Sequence, residues 1–480
     1  MSKLSLLAIT ATLVAACGGS KVTGNPDGGG GSDGGGGTGG TTATGGGDGG
    51  VACPTGGTGQ LSITIAGLPT GTVPMVRVMG GSLTSPMVLT PGAPVTLGAG
   101  DGYLLAWRRV KVAPIAPAII GKAFYLSNTP FDGCVKKDTT TSITLQYTQE
   151  PGSETLWMTT SDNPTATATG VLAGFAGADL TASAAKNPTV WKSGNFTGHG
   201  AAGAVDSFGN LWVPGGDRIN QYDMMHLAMT SSAAPYATLT QPATSTAKSA
   251  AFDASGNLWV SRGAPTSDIQ VVRYDASQLG GTGTSAPTPT VVITSSSFTN
   301  PAGIAFDDSG DLWVADAGGN SVLMFTAAHI AATLNAAADV VLTAGTGTGA
   351  PVAGAFTNPG PIAFDKTKNL WVGFEGNLVM LTPAQQGASA SLMNATAPAA
   401  LTFAAGTGAF AFDESGGLWT GGPAVGKFQR LPSTELAKAS ATASVTPTAD
   451  IVIDASAMVG YPESLVINPS PTWSWLHDDF

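Results

Sequence analysis

Charged and histidine side chains are scarce in this sequence, which narrows the chemistry it can perform. Only 11% of the 480 residues are Asp, Glu, Lys or Arg, and there are four histidines. The net charge of −11 argues against nucleic acid and against an electrostatic hold on anionic lipid, because both require clustered Lys and Arg. Hydrolases and lyases need a base, a nucleophile or a metal set placed together. We therefore expect no catalytic residue, no metal and no cofactor.

Glycine and proline are abundant instead, with 67 and 31 residues, and 42% of the chain is apolar. This balance favours strands joined by turns over long charged helices. The length suffices for two or three domains with buried cores. The composition therefore predicts an all-β chain.

The amino-terminal segment carries an export signal. Lys3 precedes an apolar run, residues 4–16, that is too short to span a bilayer. The run ends in Val14-Ala15-Ala16-Cys17, which resembles the lipobox of bacterial lipoproteins. The resemblance implies that residues 1–17 form the signal peptide and that lipid on Cys17 anchors the protein in the cell envelope, periplasmic or surface-exposed. In that family an Asp after the cysteine marks retention in the inner membrane, so Gly18 at this position favours the outer membrane if the source is Gram-negative. The alternative is an ordinary signal peptide with a chance cysteine.

Residues 18–50 are mostly glycine with Ser, Thr and Asp, a composition that cannot offset its ordering entropy. We expect a disordered tether here. With Cys17 used by lipid, Cys53 and Cys134 remain as a pair in an oxidising compartment. They predict a disulfide, although two separate free thiols would also satisfy the sequence.

Residues 51–152 read as short alternating strands separated by Gly and Pro turns, for example QLSITIAGL and TSITLQYT. This spacing is typical of a small β-sandwich. The segment resembles the prealbumin-like, immunoglobulin-like or carboxypeptidase-regulatory-like modules of bacterial surface proteins. Cys53 precedes its first strand and Cys134 its last. The disulfide would therefore pin the two ends of the module.

Residues 153–480 contain a repeated unit, Phe-Asp-x-x-Gly-x-Leu-Trp, that recurs about every 52 residues. In the copy at 301–325, alternating residues predict a strand, an Asp-x-x-Gly turn and two further strands. A short capped helical turn and an outer strand follow. Four antiparallel strands per unit describe a β-propeller blade. The copies are AVDSFGNLWV (204–213), AFDASGNLWV (251–260), AFDDSGDLWV (305–314), AFDKTKNLWV (363–372) and AFDESGGLWT (411–420).

These units resemble NHL-type repeats, which implies a propeller over residues 153–480. The segment 464–468 looks like a first strand without its turn, and 154–162 like a second strand without a first. Their pairing would close a six-bladed ring with one shared blade. A seven-bladed ring, with 472–475 beginning another blade, is the alternative. Lys368 replaces the turn glycine of the other copies, so we expect that turn to differ.

The repeated aspartates fit turn formation better than metal binding, and the repeated tryptophans fit packing between blades better than a sugar platform. His226 and His329 occupy the capped helical turn, where other copies have Gln. We therefore expect a structural role for both. The Ser245-x-x-Lys248 spacing found in acyl-transferring serine enzymes lacks its companion motifs here and is a chance match.

Functional differences should lie in the unequal loops after each Leu-Trp, which in propellers gather on one face around the central channel. Polar groups of both signs there could bind a protein or a polar small molecule. We expect a non-catalytic binding or scaffolding protein. Gluconolactonase-type and lyase-type propellers suggest a metal-dependent enzyme as an alternative, and a purely structural envelope protein is a third possibility. The candidate ligand-face residues are Asp217, Arg218, Arg262, Asp268, Asp316, Asn320, Glu375 and Asn377.

Overall fold

The computed structural model describes residues from 53 to 471, all within one compact unit. The expected signal peptide, Cys17 and the tether lie outside the described residues. Within that range the description omits 54, 86, 108–109, 113–122, 128, 130, 132, 150–153, 161–169, 194–202, 207–208, 230–233, 244, 264–267, 345–357, 375–376, 393–397, 404–408, 422–425, 458, 461 and 469.

The first part of the described chain forms two β-sheets over a shared core. One sheet has the strand order β4-β1-β8-β7-β6 and the other β3-β2-β5. Alternation along β1 buries Leu61 and Ile63, which pack with Val76 of the other sheet and Tyr147 of β8. The strands β1 to β8 are Thr58–Ala66, Val76–Gly80, Met87–Leu89, Val95–Gly98, Tyr103–Trp107, Val110–Val112, Ala123–Ser127 and Thr140–Gln149.

A disulfide joins Cys53 and Cys134, whose Cα atoms are 5.7 Å apart. Cys53 lies just before β1, and Cys134 is buried beside Val135, which bridges to Gly100. The bond therefore links the residues just before β1 to the segment before β8, as the cysteine positions predicted.

The remaining strands form six further sheets in the described part of the chain. Strands β9 to β22 are Thr155–Thr160, Val171–Ala176, Ala184–Ala185, Val190–Ser193, Ala204–Val205, Leu211–Gly215, Arg218–Tyr222, Ala237–Thr240, Ala247–Phe252, Leu258–Arg262, Gln270–Tyr274, Gly283–Ser285, Val291–Thr294 and Pro301–Phe306. Strands β23 to β36 are Leu312–Asp316, Ser321–Phe325, Leu334–Asn335, Val340–Ala344, Ile362–Phe364, Leu370–Phe374, Asn377–Leu381, Ala390–Leu392, Ala399–Thr402, Phe410–Phe412, Leu418–Gly421, Lys427–Leu431, Ile451–Asp454 and Pro462–Asn468.

Short helices follow the third strand of several units. Two of them have a capping box at the N-terminus, formed by Asp275 and Gln278 in one and by Thr382 and Gln385 in the other. None of the described helices has the length and apolar character that a membrane crossing requires. The α-helices are α1 (Met224–Ala228), α2 (Pro383–Gln386) and α3 (Ser433–Leu436), and the 3-10 helices are Gly177–Leu180, Ala276–Gln278 and His329–Ala331.

Each of the six sheets holds four antiparallel strands, and the innermost strands contact one another around a ring. The cycle runs β36, β13, β17, β22, β27, β32 and back to β36. This arrangement is a β-propeller. The last strand, β36, pairs with β9 in one sheet, with Ile467 opposite Leu156, which is the pairing predicted from the two incomplete repeats. Residues 472–475, which would begin a seventh blade, lie outside the described residues, and the count of six stays a prediction.

Four sheets gain a fifth, short parallel strand from the following unit. Strand β20 pairs with β16, β25 with β21 and β30 with β26. Strand β11, which lies between β10 and β12 in the chain, pairs in the same way with β35. These additions cover outer sheet edges and tie neighbouring sheets together.

Five of the six sheets share two distinct ends. At the turn end, an Asp-x-x-Gly turn, or Asp-x-x-Lys at 365–368, joins the first strand to the second, as between β17 and β18. In the sixth sheet, β36 pairs with β9 from a distant part of the chain. At the loop end, a loop joins the second strand to the third, as between Arg262 and Gln270. The described candidate ligand-face residues therefore belong to the loop end.

Candidate functional site

The repeated aspartate organises the turn end of each blade. The Asp365 carboxylate accepts the backbone N–H groups of Thr367 at 2.8 Å and Asn369 at 3.0 Å, so the predicted turn role is confirmed. It also accepts the indole Nε1–H of Trp371 at 2.8 Å, which the sequence interpretation missed. The constant spacing of six residues between Asp and Trp was the available signal. The same bond occurs in Asp206–Trp212, Asp253–Trp259, Asp307–Trp313 and Asp413–Trp419.

The repeated tryptophans pack between blades, as predicted. The Trp259 ring packs in a T-shaped arrangement with Phe306, from the first strand of the next blade, with centroids 5.8 Å apart. Trp313 meets Phe364 in the same way at 6.2 Å. Each Phe-Asp pair thus supplies one ring to the preceding blade and one carboxylate to its own tryptophan. Trp212–Phe252 and Trp371–Phe412 repeat the contact.

Two departures from the repeat are visible at the turn end. Lys368 adopts a left-handed φ of 66°, so this turn keeps the glycine conformation at the cost of strain. Its ammonium pairs with Asp308 of the neighbouring blade. Arg430 donates from Nε to the buried Asp413 at 2.6 Å, and burial raises the pKa of Asp413 while this arginine opposes the rise.

Each of the two histidines in the capped turns contacts an aspartate carboxylate. His226 Nδ1 lies 2.6 Å from an Asp223 oxygen, and His329 Nδ1 lies 2.8 Å from an Asp339 oxygen. Asp223 also caps α1 by accepting the His226 backbone N–H. These contacts support the structural role expected of both side chains.

At the loop end, Arg262 is buried in a polar network. Its Nε donates to Gln241 Oε1 at 2.9 Å, one terminal nitrogen donates to the Tyr274 hydroxyl at 2.7 Å, and the other lies 3.2 Å from Asp268. The Ser245 hydroxyl also binds Asp268. The serine of the Ser-x-x-Lys match is therefore engaged with a carboxylate in this network.

Asp316 is fully buried at the equivalent position of the next blade. Its carboxylate accepts the backbone N–H groups of Thr299 at 3.0 Å and Asn300 at 2.5 Å. Burial raises the pKa of the Asp316 carboxyl, and these backbone donors oppose the rise. The side chain thus fastens the loop after β23 to the connection that enters β22.

The structure places the other described candidates at the loop end, and these described residues do not form one cluster. Asp217 and Arg218 are half exposed and form an ion pair at 3.4 Å. Asn320 is exposed, and its side-chain oxygen accepts the backbone N–H of Asn358 in the next blade at 2.8 Å. Asn377 begins β29, and Glu375 lies outside the described residues.

A central channel, defined here as the cavity enclosed by the six innermost strands, has a volume of about 230 Å³. Small apolar side chains at equivalent positions of four strands leave this space: Ala251, Ala305, Ala363 and Ala411. At the turn end the channel is lined by the polar side chains of Asp308, Asp365, Lys368 and Ser470, and by Pro471.

The titratable groups of the channel already have partners within the protein. Lys368 is paired with Asp308, and Asp365 holds its own turn and Trp371. Among the described residues, no three His, Cys, Asp or Glu side chains are grouped as a metal ion would require.

Comparison with known proteins supports the repeat and adds no close relative. An NHL repeat matches residues 298–325, which span the end of one connection and strands β22 to β24. No curated protein sequence matches the chain.

Three solved structures illustrate the structural matches. A protein of unknown function from Bacteroides caccae and the nidogen/laminin complex are 10% and 12% identical, each covering 63% of this chain and 98% of its own, with a TM-score of 0.39. Virginiamycin B lyase from Staphylococcus aureus is 13% identical, covers 50% of this chain and 68% of its own, and has a TM-score of 0.32. At these scores the fold rests on the strand pairing of the chain itself. The protein is a β-propeller that carries an NHL repeat.

Proposed function

We propose that this chain is an exported, lipid-anchored binding protein that presents the loop end of a six-bladed propeller to a protein partner. The observation that carries the proposal is that two charged side chains of the loop end are buried and bonded to neighbouring segments. Arg262 and Asp316 are buried and fasten loops to the connections beside them. These buried contacts hold the described residues around Arg262 and Asp316 in one conformation, which lowers the entropy cost of binding a large partner.

The channel supports the same conclusion. Its volume of about 230 Å³ lies below the range of about 300–1,000 Å³ typical of small-molecule sites. Its carboxylates and its lysine are engaged by the turns and by one another. The loop-end surface therefore suits a macromolecular partner better than this cavity suits a substrate.

Site-specific photo-crosslinking in the native cell tests the proposal. A photoreactive amino acid replaces half-exposed Arg218 at the loop end, and the matched control replaces exposed Ser255 at the turn end. We expect a discrete crosslinked protein from position 218 and none from position 255. Equal products from both positions, or none from position 218 and from a second loop-end probe at Asn320, would contradict the proposal.

The anchor has its own test. The Val14-Ala15-Ala16-Cys17 motif and the glycine-rich segment after it support a lipid on Cys17 with a tether to the folded part. A Cys17→Ala variant should lose labelling by a radioactive fatty acid and leave the membrane fraction. Unchanged membrane retention without an acyl label in the native chain would refute the lipid anchor, and would leave the crosslinking result standing.

A further inference from the structure

One lysine belongs to the loop end of an innermost strand. Strand β17 runs from Ala247 at the loop end to Phe252, just before the turn end. Lys248 is its second residue and precedes Ala250, which lines the channel, by two positions. Lys248 therefore lies at the loop end of the molecule, near the mouth of the central channel.

A β-bulge sets this lysine apart from the rest of β17. Ala247 pairs with Arg262 and Ser249 with Ser261, so two steps along β17 match one step along β18. Lys248 is the extra residue and lies opposite no residue of β18. Bulges of this kind redirect a side chain and are frequent beside binding sites. The Lys248 side chain is therefore released from the strict alternation of the strand.

The Lys248 ammonium lacks a partner within the described part of the chain. Its side chain is partly buried, and burial lowers the pKa of Lys248. No hydrogen bond or ion pair from any described residue reaches this ammonium. Burial of a charge without a partner costs free energy, which an incoming anion would offset.

The carboxylates of the adjoining loops are engaged by other cations. The two ion pairs there are Arg262 with Asp268 and Arg218 with Asp217. Glu463 is the extra residue of the corresponding bulge on β36, but the sheet that contains β13 separates β36 from β17 around the ring. Lys248 therefore gives the described loop end around β17 one positive charge in excess, in a chain whose net charge is −11.

A second donor in this part of the loop end is also unused. Gln241 accepts from Arg262, the residue that pairs with Ala247 beside Lys248. The Gln241 side-chain nitrogen is buried and has no acceptor among the described groups. Donors thus exceed acceptors here, which favours an anionic ligand.

We propose that Lys248 binds a carboxylate that the protein partner presents, on an acidic side chain, at the loop-end mouth of the channel. This inference rests on the proposed function, which supplies the partner. An ammonium and a carboxylate form a charge-assisted hydrogen bond, and partial burial strengthens their attraction. A free small carboxylate has the same chemistry, so the experiments separate the two sources.

An NMR titration of the purified full chain tests the chemistry. Dimethylation with carbon-13 gives each lysine a signal and retains its charge, and Lys248→Arg identifies the signal of Lys248. The probe is acetyl-glutamyl amide, with acetyl-glutaminyl amide as its uncharged control. We expect the Lys248 signal to shift saturably with the first probe only, while the signal of the exposed Lys366 at the turn end shows no saturable shift.

Photo-crosslinking from position 218 in the native cell tests the source of the carboxylate. Lys248→Gln removes the charge and should lower the yield of crosslinked partner by about fivefold or more. Lys248→Arg keeps the charge and should retain about half of the yield or more. Lys366→Gln, which removes an exposed lysine at the turn end, is the matched control and should leave the yield unchanged.

Each contrary result has its own meaning. A Lys248 signal that does not respond to acetyl-glutamyl amide would overturn the proposal. A saturable shift together with crosslinking that Lys248→Gln leaves unchanged would show binding of a free carboxylate only, and would overturn the assignment to the partner. Absence of crosslinks from positions 218 and 320 in the native chain would contradict the proposed function and its partner, while the titration would still decide whether Lys248 binds a carboxylate.

Discussion

Removal of the Asp365 carboxylate should destabilise the propeller mainly because it leaves a buried indole N–H without an acceptor. Trp371 is 1% exposed, and its Nε1–H donates to Asp365 at 2.8 Å. A buried donor without an acceptor costs about 1–3 kcal/mol. The backbone bonds from Thr367 and Asn369 add about 1 kcal/mol, so Asp365→Ala should lower the free energy of unfolding by about 2–4 kcal/mol.

A double-mutant cycle separates these contributions. Trp371→Phe keeps an aromatic ring and removes the donor, so Asp365→Ala should cost about 1–3 kcal/mol less in that background. Equilibrium urea denaturation measures each variant, with Asp217→Ala as a half-exposed control that should change stability by less than about 1 kcal/mol. Costs of Asp365→Ala that agree within about 0.5 kcal/mol in the two backgrounds would refute the assigned bond.

Two further predictions concern stability. Because the disulfide closes a loop with a sequence separation of 81, the double variant Cys53→Ser/Cys134→Ser should lose about 4 kcal/mol; thermal melts that coincide with those of the native chain would contradict this. The raised pKa of Asp316 means that its contribution to stability is fully present below the unfolded-state pKa and declines as pH rises through the folded-state pKa. The native chain should therefore gain stability relative to Asp316→Asn as pH falls from 7 toward 4 in urea titrations, and a gain in the opposite direction would exclude burial as the dominant cause.

The sequence was sufficient wherever the same physical requirement recurs. Five copies of the Asp turn and its Leu-Trp pair indicated the strands, and the two incomplete copies indicated the pairing of β36 with β9. Lys368 was recognised as a departure because every other copy has a residue suited to its turn. The expectation that its turn would differ was wrong, because Lys368 adopts the positive φ that glycine has in the other copies.

The loop end could not be predicted from the sequence in the same way. Arg262 and Asp316 look like solvent-facing loop residues, yet their partners Gln241 and Thr299 come from connections 17 to 21 residues earlier in the chain. Only the antiparallel register brings these groups together. The fifth strands were also missed, because β11 and β20 have the sequences Ala-Ala and Gly-Thr-Ser, which carry no strand signal of their own.

The sheet that pairs β36 with β9 also determines when folding can be completed during synthesis. Strand β9 is made early, but its partner β36 leaves the ribosome only about 300 residues later, so the contact is among the most distant in the chain. Until then, β9 presents an unpaired edge that neighbouring nascent chains could pair with. A chain stalled before Pro462 would keep that edge open. We expect such fragments to depend on chaperones and to aggregate when released, even though every earlier blade is already encoded in them.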